Sequence, residues 1–320
     1  MNSILKLRRK GGMEVKQYVV QTNNMTKKYR KHHVVDHVNM HVKKGAIYGF
    51  IGLNGAGKST CIRMITGLTN QSSGSIELFG VSDKKGMDKA RKRIGTMIEM
   101  PGLYPNMTAE QNLEVIRMQR GIPGRKCIEK TLKKVGLTDT KKKKVATFSV
   151  GMKQRLGIAV ALLSNPELLI LDEPINGLDP VGVIEIRQLL EQLNQEYHVT
   201  VIISSHILTE VHQIATHYGI IHEGKLIEQC TKEEVEEKCQ SHLYLRVDNV
   251  EKATTILEES LQQADFDILP DGAIKLFTYV KEPLVVSRLL QKHGVLITEM
   301  TPQHDTLEGY FTRVIKEASI

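Results

Sequence analysis

Three short stretches carry the residue types that handle phosphate. Gly52, Gly57, Lys58 and Ser59 fit the pattern Gly-x-x-x-x-Gly-Lys-Ser. Glycines let successive backbone N–H groups curl into a concave nest. A helix opening at Lys58 adds unpaired donors and about half a positive charge at its N-terminus. Lys58 brings a full positive charge for the outer phosphates, and the Ser59 hydroxyl suits Mg²⁺. By accident such a four-position pattern recurs in on the order of one chain in a hundred at average residue usage, and a strand before it and a helix after it make accident rarer. The second stretch is Asp172-Glu173, directly after the apolar run Leu168 to Leu171. Asp172 is the type of carboxylate that holds Mg²⁺ opposite Ser59, and Mg²⁺ bridging the outer phosphates neutralises charge as the bond breaks. Glu173 is the candidate general base for an attacking water, a role worth about 10²–10⁴-fold. The third is His206, which follows the run Val199 to Ser204 and could bond the γ-phosphate or orient the water. A surface turn for Asp172-Glu173 and a structural role for His206 are the bland alternatives, and the phosphate loop argues against both.

The elements that must position these groups alternate between β and α character. Ala46 to Ile51 is a strand leading into the loop, and a helix from Lys58 to about Gly67 carries Ile62, Met64 and Ile65 into a core. Leu168 to Leu171 and Val199 to Ser204 read as buried parallel strands, being continuous apolar runs. A helix from about Val183 to Gln195 separates them, and a helix (Leu208 to Ala215) and a strand (Tyr218 to His222) follow, ending in a Glu223-Gly224 turn. This alternation predicts an α/β fold with a mainly parallel sheet covered by helices. Ligands of such sheets sit at the carboxyl ends of strands. Gly52, Asp172 and His206 each follow an apolar strand, so they should gather on one edge although they lie far apart in sequence.

Elsewhere the patterns are more local. Tyr18 to Asn23 and Val34 to Val42 read as strands, the second with Val34, Asp36, Val38, Met40 and Val42 on one face. Tyr29 falls in the turn between them, where an aromatic either packs or stacks on a base. Ser75 to Phe79 and Ile94 to Glu99 are strand-like. Thr108-x-x-Gln111 is a capping box that starts a helix reaching about Met118, and a helix from Arg125 to Val135 follows Pro123. Lys141 to Lys144 reads as a solvated loop. Ser149 is a good N-cap for a strongly apolar helix that Asn165-Pro166 halts.

Composition narrows the class. The chain has 320 residues, 41% hydrophobic and 25% charged, ordinary for a soluble protein of one large domain or a large and a small one. No run of eighteen or more apolar residues is present, so the sequence offers no membrane span. Cys61, Cys127, Cys230 and Cys239 lie scattered, as expected of reduced thiols in a cytosol. The net charge of +8 suits an anionic partner without choosing among nucleotide, nucleic acid and acidic membrane. Residues 1 to 12 are basic and too short for a secretory signal. Arg9 to Gly12 would be encoded by purine-rich codons, as a ribosome-binding site is, so Met13 is the expected start, with a basic membrane-touching arm as the rival.

Taken in order, these motifs resemble the nucleotide-binding subunits of ABC transporters over about residues 17 to 230. Tyr29 matches the adenine-stacking aromatic, Gly52 to Thr60 the Walker A loop, and Phe148 to Met152 the signature motif. Leu168 to Glu173 matches Walker B, Gly177-Leu178-Asp179 the D-loop, and His206 the switch histidine. The resemblance implies ATP and Mg²⁺ as cofactors. It implies nucleotide contacts from Tyr29, Gly52, Asn54, Gly55, Ala56, Gly57, Lys58, Ser59 and Thr60, and metal contacts from Ser59, Asp172 and Glu99. Lys58, Glu173 and His206 would serve catalysis. It further implies an antiparallel β subdomain, a helical subdomain at about 100 to 165, and a head-to-tail dimer. Asp179 would be a further nucleotide contact, and in that dimer Ser149 and Gly151 of one copy would complete the site on the other. There are three departures from the family pattern. Val150, Gly151 and Met152 stand for Gly-Gly-Gln, Glu99 stands where a glutamine ordinarily touches the metal, and Cys61 directly follows the loop as a small helix-packing residue.

The expected domains are 13 to 235 for the ATP-binding unit and 240 to 320 for a small α+β accessory unit. In the latter, Leu243 to Val247, Phe266 to Leu269, Ala273 to Val280 and Val295 to Met300 are strands. Pro270-Asp271-Gly272 marks a hairpin, and helices span Val250 to Leu261, Leu284 to Lys292 and Thr306 to Lys316. The order resembles a split β-α-β, suited to dimer contact or regulation, with drug sensing as a weaker option. The stretches around Leu103-Tyr104-Pro105, Ser149 to Ala159 and Ser204 to Leu208 resemble the bacitracin- and lantibiotic-resistance exporters. The expected function is thus an ATPase driving a separate membrane permease at the cytoplasmic face of a bacterial membrane, with no nucleic-acid partner. The rival readings are a soluble ABC ATPase acting on ribosome or nucleic acid, and a regulator without turnover, against which Glu173 argues.

Overall fold

The computed structural model describes residues 18–318 apart from 100–101, 141, 240, 262–263 and 305. Met13 and the basic segment before it lie outside the described residues. The chain divides into two compact units, the first through Gln229 and the second from Cys230.

In the first unit the long strand β1 (Tyr18–Tyr29) organises an antiparallel sheet. It pairs with β2 (His32–Val38), β3 (His41–Lys43) and, after the phosphate loop, β5 (Ser73–Leu78). Two expectations fail here. Tyr29 closes β1 instead of lying in the turn, which is made by Arg30 and Lys31. The stretch Val34 to Val42 is two strands, not one alternating run. His37 takes a left-handed φ of 51° and β1 carries register shifts opposite β2, so the parity slips. Val35, Val38, Met40 and Val42 are buried while Val34 is half-exposed.

Strand β4 (Ile47–Ile51) is buried throughout and feeds the loop and helix α1 (Lys58–Ile65). Helix α2 (Lys84–Arg91), capped by Asp83, was not anticipated; its charged sequence shows the core only Met87 and Ala90. Strand β6 (Ile94–Met97) follows. Helices α3 (Ala109–Gln119), α4 (Lys126–Lys134) and α5 (Val150–Leu162) pack on one another as a helical layer. The Thr108 capping box is formed with both of its hydrogen bonds. Gly95 of β6 lets α5 approach closely, since a Cβ there would stand 2.3 Å from the Ala161 carbonyl oxygen. Next come β7 (Leu168–Asp172), α6 (Pro180–Gln195), β8 (Thr200–Ser205), α7 (Leu208–His212), β9 (His217–His222) and β10 (Lys225–Thr231).

The central sheet runs β10-β9-β4-β8-β7-β6, with β9, β4, β8, β7 and β6 parallel. Glu223 and Gly224, both at positive φ, make the two-residue turn to β10. Met25, Val42 and Leu78 of the antiparallel sheet, Ile62 and Ile65 of α1, and Phe50, Ile170 and Ile202 of the parallel sheet share one buried cluster. Helix α1 is therefore locked to both sheets, which fixes the loop before it.

The second unit begins with α8 (Lys232–Lys238), whose capping box Thr231–Glu234 was a legible but unread signal. It continues as β11 (Ser241–Val247), α9 (Val250–Ser260), β12 (Phe266–Ile268), β13 (Ile274–Leu276), α10 (Pro283–Lys292) and β14 (Ile297–His304). The sheet order β12-β13-β11-β14 is antiparallel throughout. That is the β-α-β-β-α-β arrangement anticipated from the strand and helix order. The strand expected over Ala273 to Val280 stops at Leu276, and Tyr279 beyond it sits at φ 57°. Leu243, Leu245, Leu257, Ile274, Val286 and Leu290 form its core. Helix α11 (Leu307–Ala318) buries Tyr310 and Phe311.

Candidate functional site

Strand register brings the three chemical stretches together. Ile51 lies beside Ser205, and Ser204 beside Asp172, so β4, β8 and β7 end on one edge. Gly52 N donates to the Ser205 carbonyl at 3.3 Å. The edge expected to gather Gly52, Asp172 and His206 does so.

The loop's shape is dictated by its glycines. Gly55 and Gly57 take φ of 84° and 106°, values that L side chains avoid. A Cβ on Gly57 would come within 2.7 Å of the Val34 carbonyl oxygen, and one on Gly52 within 2.5 Å of that of Ile221. Gly57 caps α1 with no side-chain bond to the first turn. Those N–H groups are free to meet an anion, the arrangement helix N-termini offer to phosphate. Cys61 is fully buried in α1 and burial pushes its thiol up, as befits an inert packing residue.

Lys58, only 5% exposed, folds its ammonium over the loop, donating to the carbonyls of Gly52 (2.7 Å) and Leu53 (3.3 Å). The same Nζ lies 3.3 Å from Glu173 Oε1, and Glu173 Oε2 lies 2.9 Å from His206 Nδ1. Glu173 is thus held between the loop lysine and the histidine, with its backbone at a left-handed φ of 51°. Its N–H donates to the Ser204 hydroxyl oxygen (3.0 Å) and carbonyl (3.2 Å). The Ser204 hydroxyl in turn donates to Asp172 Oδ1. Ser204, wholly buried, orients both acidic residues, and the reading of the sequence missed it. The available signal was a polar Ser204-Ser205 pair closing an apolar strand ahead of His206.

Ser59, Glu99, Asp172 and Glu173 line a cavity of about 370 Å³ with Val150, Lys153, Gln154 and Asn176. Among the described residues no group of three or more His, Cys, Asp or Glu forms a metal cage. Ser59 and Asp172 present hard oxygen donors alone, the set that suits Mg²⁺ sharing its shell with phosphate and water. Glu99 sits at φ 62° and its carboxylate is taken up by Arg63. A roomier cavity of about 510 Å³, lined by Ile128, Leu132 and Leu137 with Lys126, Glu129 and Thr138, takes no residue from the phosphate loop or from the ends of β7 and β8.

The remaining sequence-predicted residues lie away from this cavity's walls. Tyr29 is 51% exposed with Lys27 Nζ 4.9 Å from its ring centroid, leaving a ring face for a base. Ser149 accepts from Met152 N at 3.2 Å and caps α5. A Cβ on Gly151 would meet only Leu178, at 3.9 Å, so that helix end is open to an incoming group. Asp179 accepts from Gly182 N at 2.7 Å and caps α6, which starts at Pro180, earlier than expected.

The ordered set of loop, paired acids and histidine on one sheet edge has close counterparts. A family described as ABC transporter matches residues 35–176. The bacitracin transport ATP-binding protein BcrA of Bacillus licheniformis is 42% identical over 302 residues, spanning 94% of this chain and 99% of that protein. The chain belongs to the ATP-binding proteins of ABC transporters. The lantibiotic transport ATP-binding protein SrtF of Streptococcus pyogenes is 44% identical over 209 residues, 65% of this chain and 89% of that one. Among solved structures, cbiO1 of Clostridium perfringens superposes with a TM-score of 0.64 at 31% identity, covering 69% of this chain and 92% of its own. The ATP-binding cassette MJ0796, a dimer bound to ADP and Pi, superposes at 0.60 with 27% identity, over 67% and 98%. An ABC cassette of this kind is an ATPase, and here the nest, Lys58, Glu173 and His206 stand together on one sheet edge.

Proposed function

We propose that this ABC ATPase powers a separate membrane permease that exports a peptide antibiotic of the bacitracin or lantibiotic type. The observation that carries the reading is the extent of the BcrA match, which runs through both units and not only the cassette. No helix among the described residues is long and apolar enough to cross a membrane, so the path would come from a partner, with this chain at the membrane's cytoplasmic face.

In the working cycle two copies meet head to tail. Lys58 leaves the loop carbonyls for the β- and γ-phosphates; Ser59 and Asp172 would hold Mg²⁺, which would supply neutralisation of charge on the outer phosphates. Released from Lys58, Glu173 takes the proton of the attacking water while His206 keeps its carboxylate oriented. The exposed ends of α5 and α6, Ser149 to Gly151 and Asp179, complete the partner's site. Tyr29 stacks on the adenine. The second unit, from Cys230 on, is an accessory unit for dimer contact or regulation.

Affinity capture of the native protein from gently solubilised membranes tests this. Recovery of a polytopic membrane protein, with loss of bacitracin or lantibiotic tolerance on deleting the chain, supports it. Recovery of ribosomes or nucleic acid alone overturns it in favour of a soluble ABC ATPase.

A further inference from the structure

The cavity that must accept nucleotide phosphates and a cation already holds two carboxylates, Asp172 and Glu173. Glu173 is balanced by Lys58 and His206, and Asp172 by a hydrogen bond from Ser204. Glu99 adds a third negative charge at the same cavity. Its carboxylate is met by the guanidinium of Arg63, a residue of the phosphate-binding helix itself. Both side chains are substantially exposed, Arg63 44% and Glu99 66%, so the pair adds little to folding. Its geometry has another consequence. Arg63 lies four residues past Ser59 on α1, a helix whose buried face packs against both sheets. Glu99 follows β6 in the left-handed region, where an ordinary side chain stays only if something holds it.

We propose that Arg63 is a positioning residue that neutralises and orients Glu99, so that a carboxylate can stand at this cavity without repelling the phosphates of Mg·ATP. The assignment rests on the cavity's being the nucleotide site. Arg63 acts through Glu99, not on the nucleotide: removing Arg63 unmasks the Glu99 charge, and removing that charge as well abolishes the penalty. A simple phosphate-binding arginine would behave differently, because its loss would cost the same whatever stood at 99.

The test is a double-mutant cycle of Arg63→Gln and Glu99→Gln in the full chain. Its readout is binding of the Mg²⁺ complex of a non-hydrolysable ATP analogue, followed by titration calorimetry. The expected result is that Arg63→Gln weakens binding about threefold to fivefold, the scale of one partly exposed charge, while Arg63→Gln with Glu99→Gln binds within about 1.5-fold of Glu99→Gln alone. Thermal melts of all four proteins should coincide, since the pair is exposed. Two results overturn the assignment: Arg63→Gln binding like the wild type, or an equal loss from Arg63→Gln in both backgrounds. Wild-type protein that binds no nucleotide overturns the site reading beneath it, an outcome separable from either of those.

Discussion

Lys58 Nζ lies 3.3 Å from Glu173 Oε1, so the loop's cation and the carboxylate that follows β7 contact each other directly across the cleft. On the proposed mechanism, phosphate entering the loop competes for that ammonium and frees Glu173 for water, so that substrate arrival and arming of the base would be one event. Glu173→Gln should therefore lower ATP turnover by about 10²–10⁴-fold while nucleotide binding persists. Phosphate release and analogue binding, measured on the same preparation, check both halves. Unchanged turnover would remove Glu173 from its role.

Ser204 joins the two acids from the neighbouring strand. Ser204→Ala strips Asp172 of a buried donor and leaves Glu173 N–H with only the weaker carbonyl contact. An unsatisfied buried group costs about 1–3 kcal/mol, so denaturant melts should show a loss of that size. The Mg²⁺ concentration for half-maximal turnover should rise too, because the Asp172 carboxylate loses the hydroxyl that holds it.

Gly57 admits no side chain. Its φ of 106° is left-handed and its Cβ position is 2.7 Å from a backbone oxygen that has no room to yield. Gly57→Ala should destabilise the chain by about 1–3 kcal/mol and abolish tight ATP binding. A melting curve and a binding isotherm for that variant would show it.

Tyr29 should discriminate stacking from packing. Half of it is exposed, so Tyr29→Ala should leave the melting temperature almost unchanged. It should weaken ATP binding by up to about tenfold, since an aromatic pair contributes about 0.5–1.5 kcal/mol, and Tyr29→Phe should restore it. A drop in stability with no change in affinity would return Tyr29 to an ordinary packing role.

Glu167 and Arg93 tie the start of β7 to β6 through bonds of 2.6 and 2.8 Å. The Arg93 guanidinium holds the Glu167 carboxyl below its usual 4.5. A depressed folded-state value means stability that is present above the unfolded value and lost as pH falls through the folded one. Acid melts of Glu167→Gln should therefore lose part of the wild type's pH dependence below about pH 4.5. Both side chains are over 40% exposed, so the difference should stay under about 1 kcal/mol.

Much of the site was legible because its chemistry is local. The nest needs glycines within six residues of Lys58, and the acids need only an apolar strand before them. Capping boxes, the apolar α5 and the β-α-β-β-α-β order of the second unit are likewise written over short spans. What escaped depends on partners far apart. The face reversal in β2 follows from a bulge against β1, not from alternation. Helices α2 and α8 are short and charged, so periodicity said little about them.

Thus the sequence by itself determined which groups could bind phosphate and metal, and that they would stand at strand ends. Only the tertiary structure decided how they are wired: Glu173 between Lys58 and His206, Ser204 across Asp172 and Glu173, and Arg63 on Glu99. The physical reason is range. A turn's dihedrals are set by its own residues, whereas a hydrogen bond between β7 and β8 exists only once the order and register of the sheet have placed Asp172 beside Ser204.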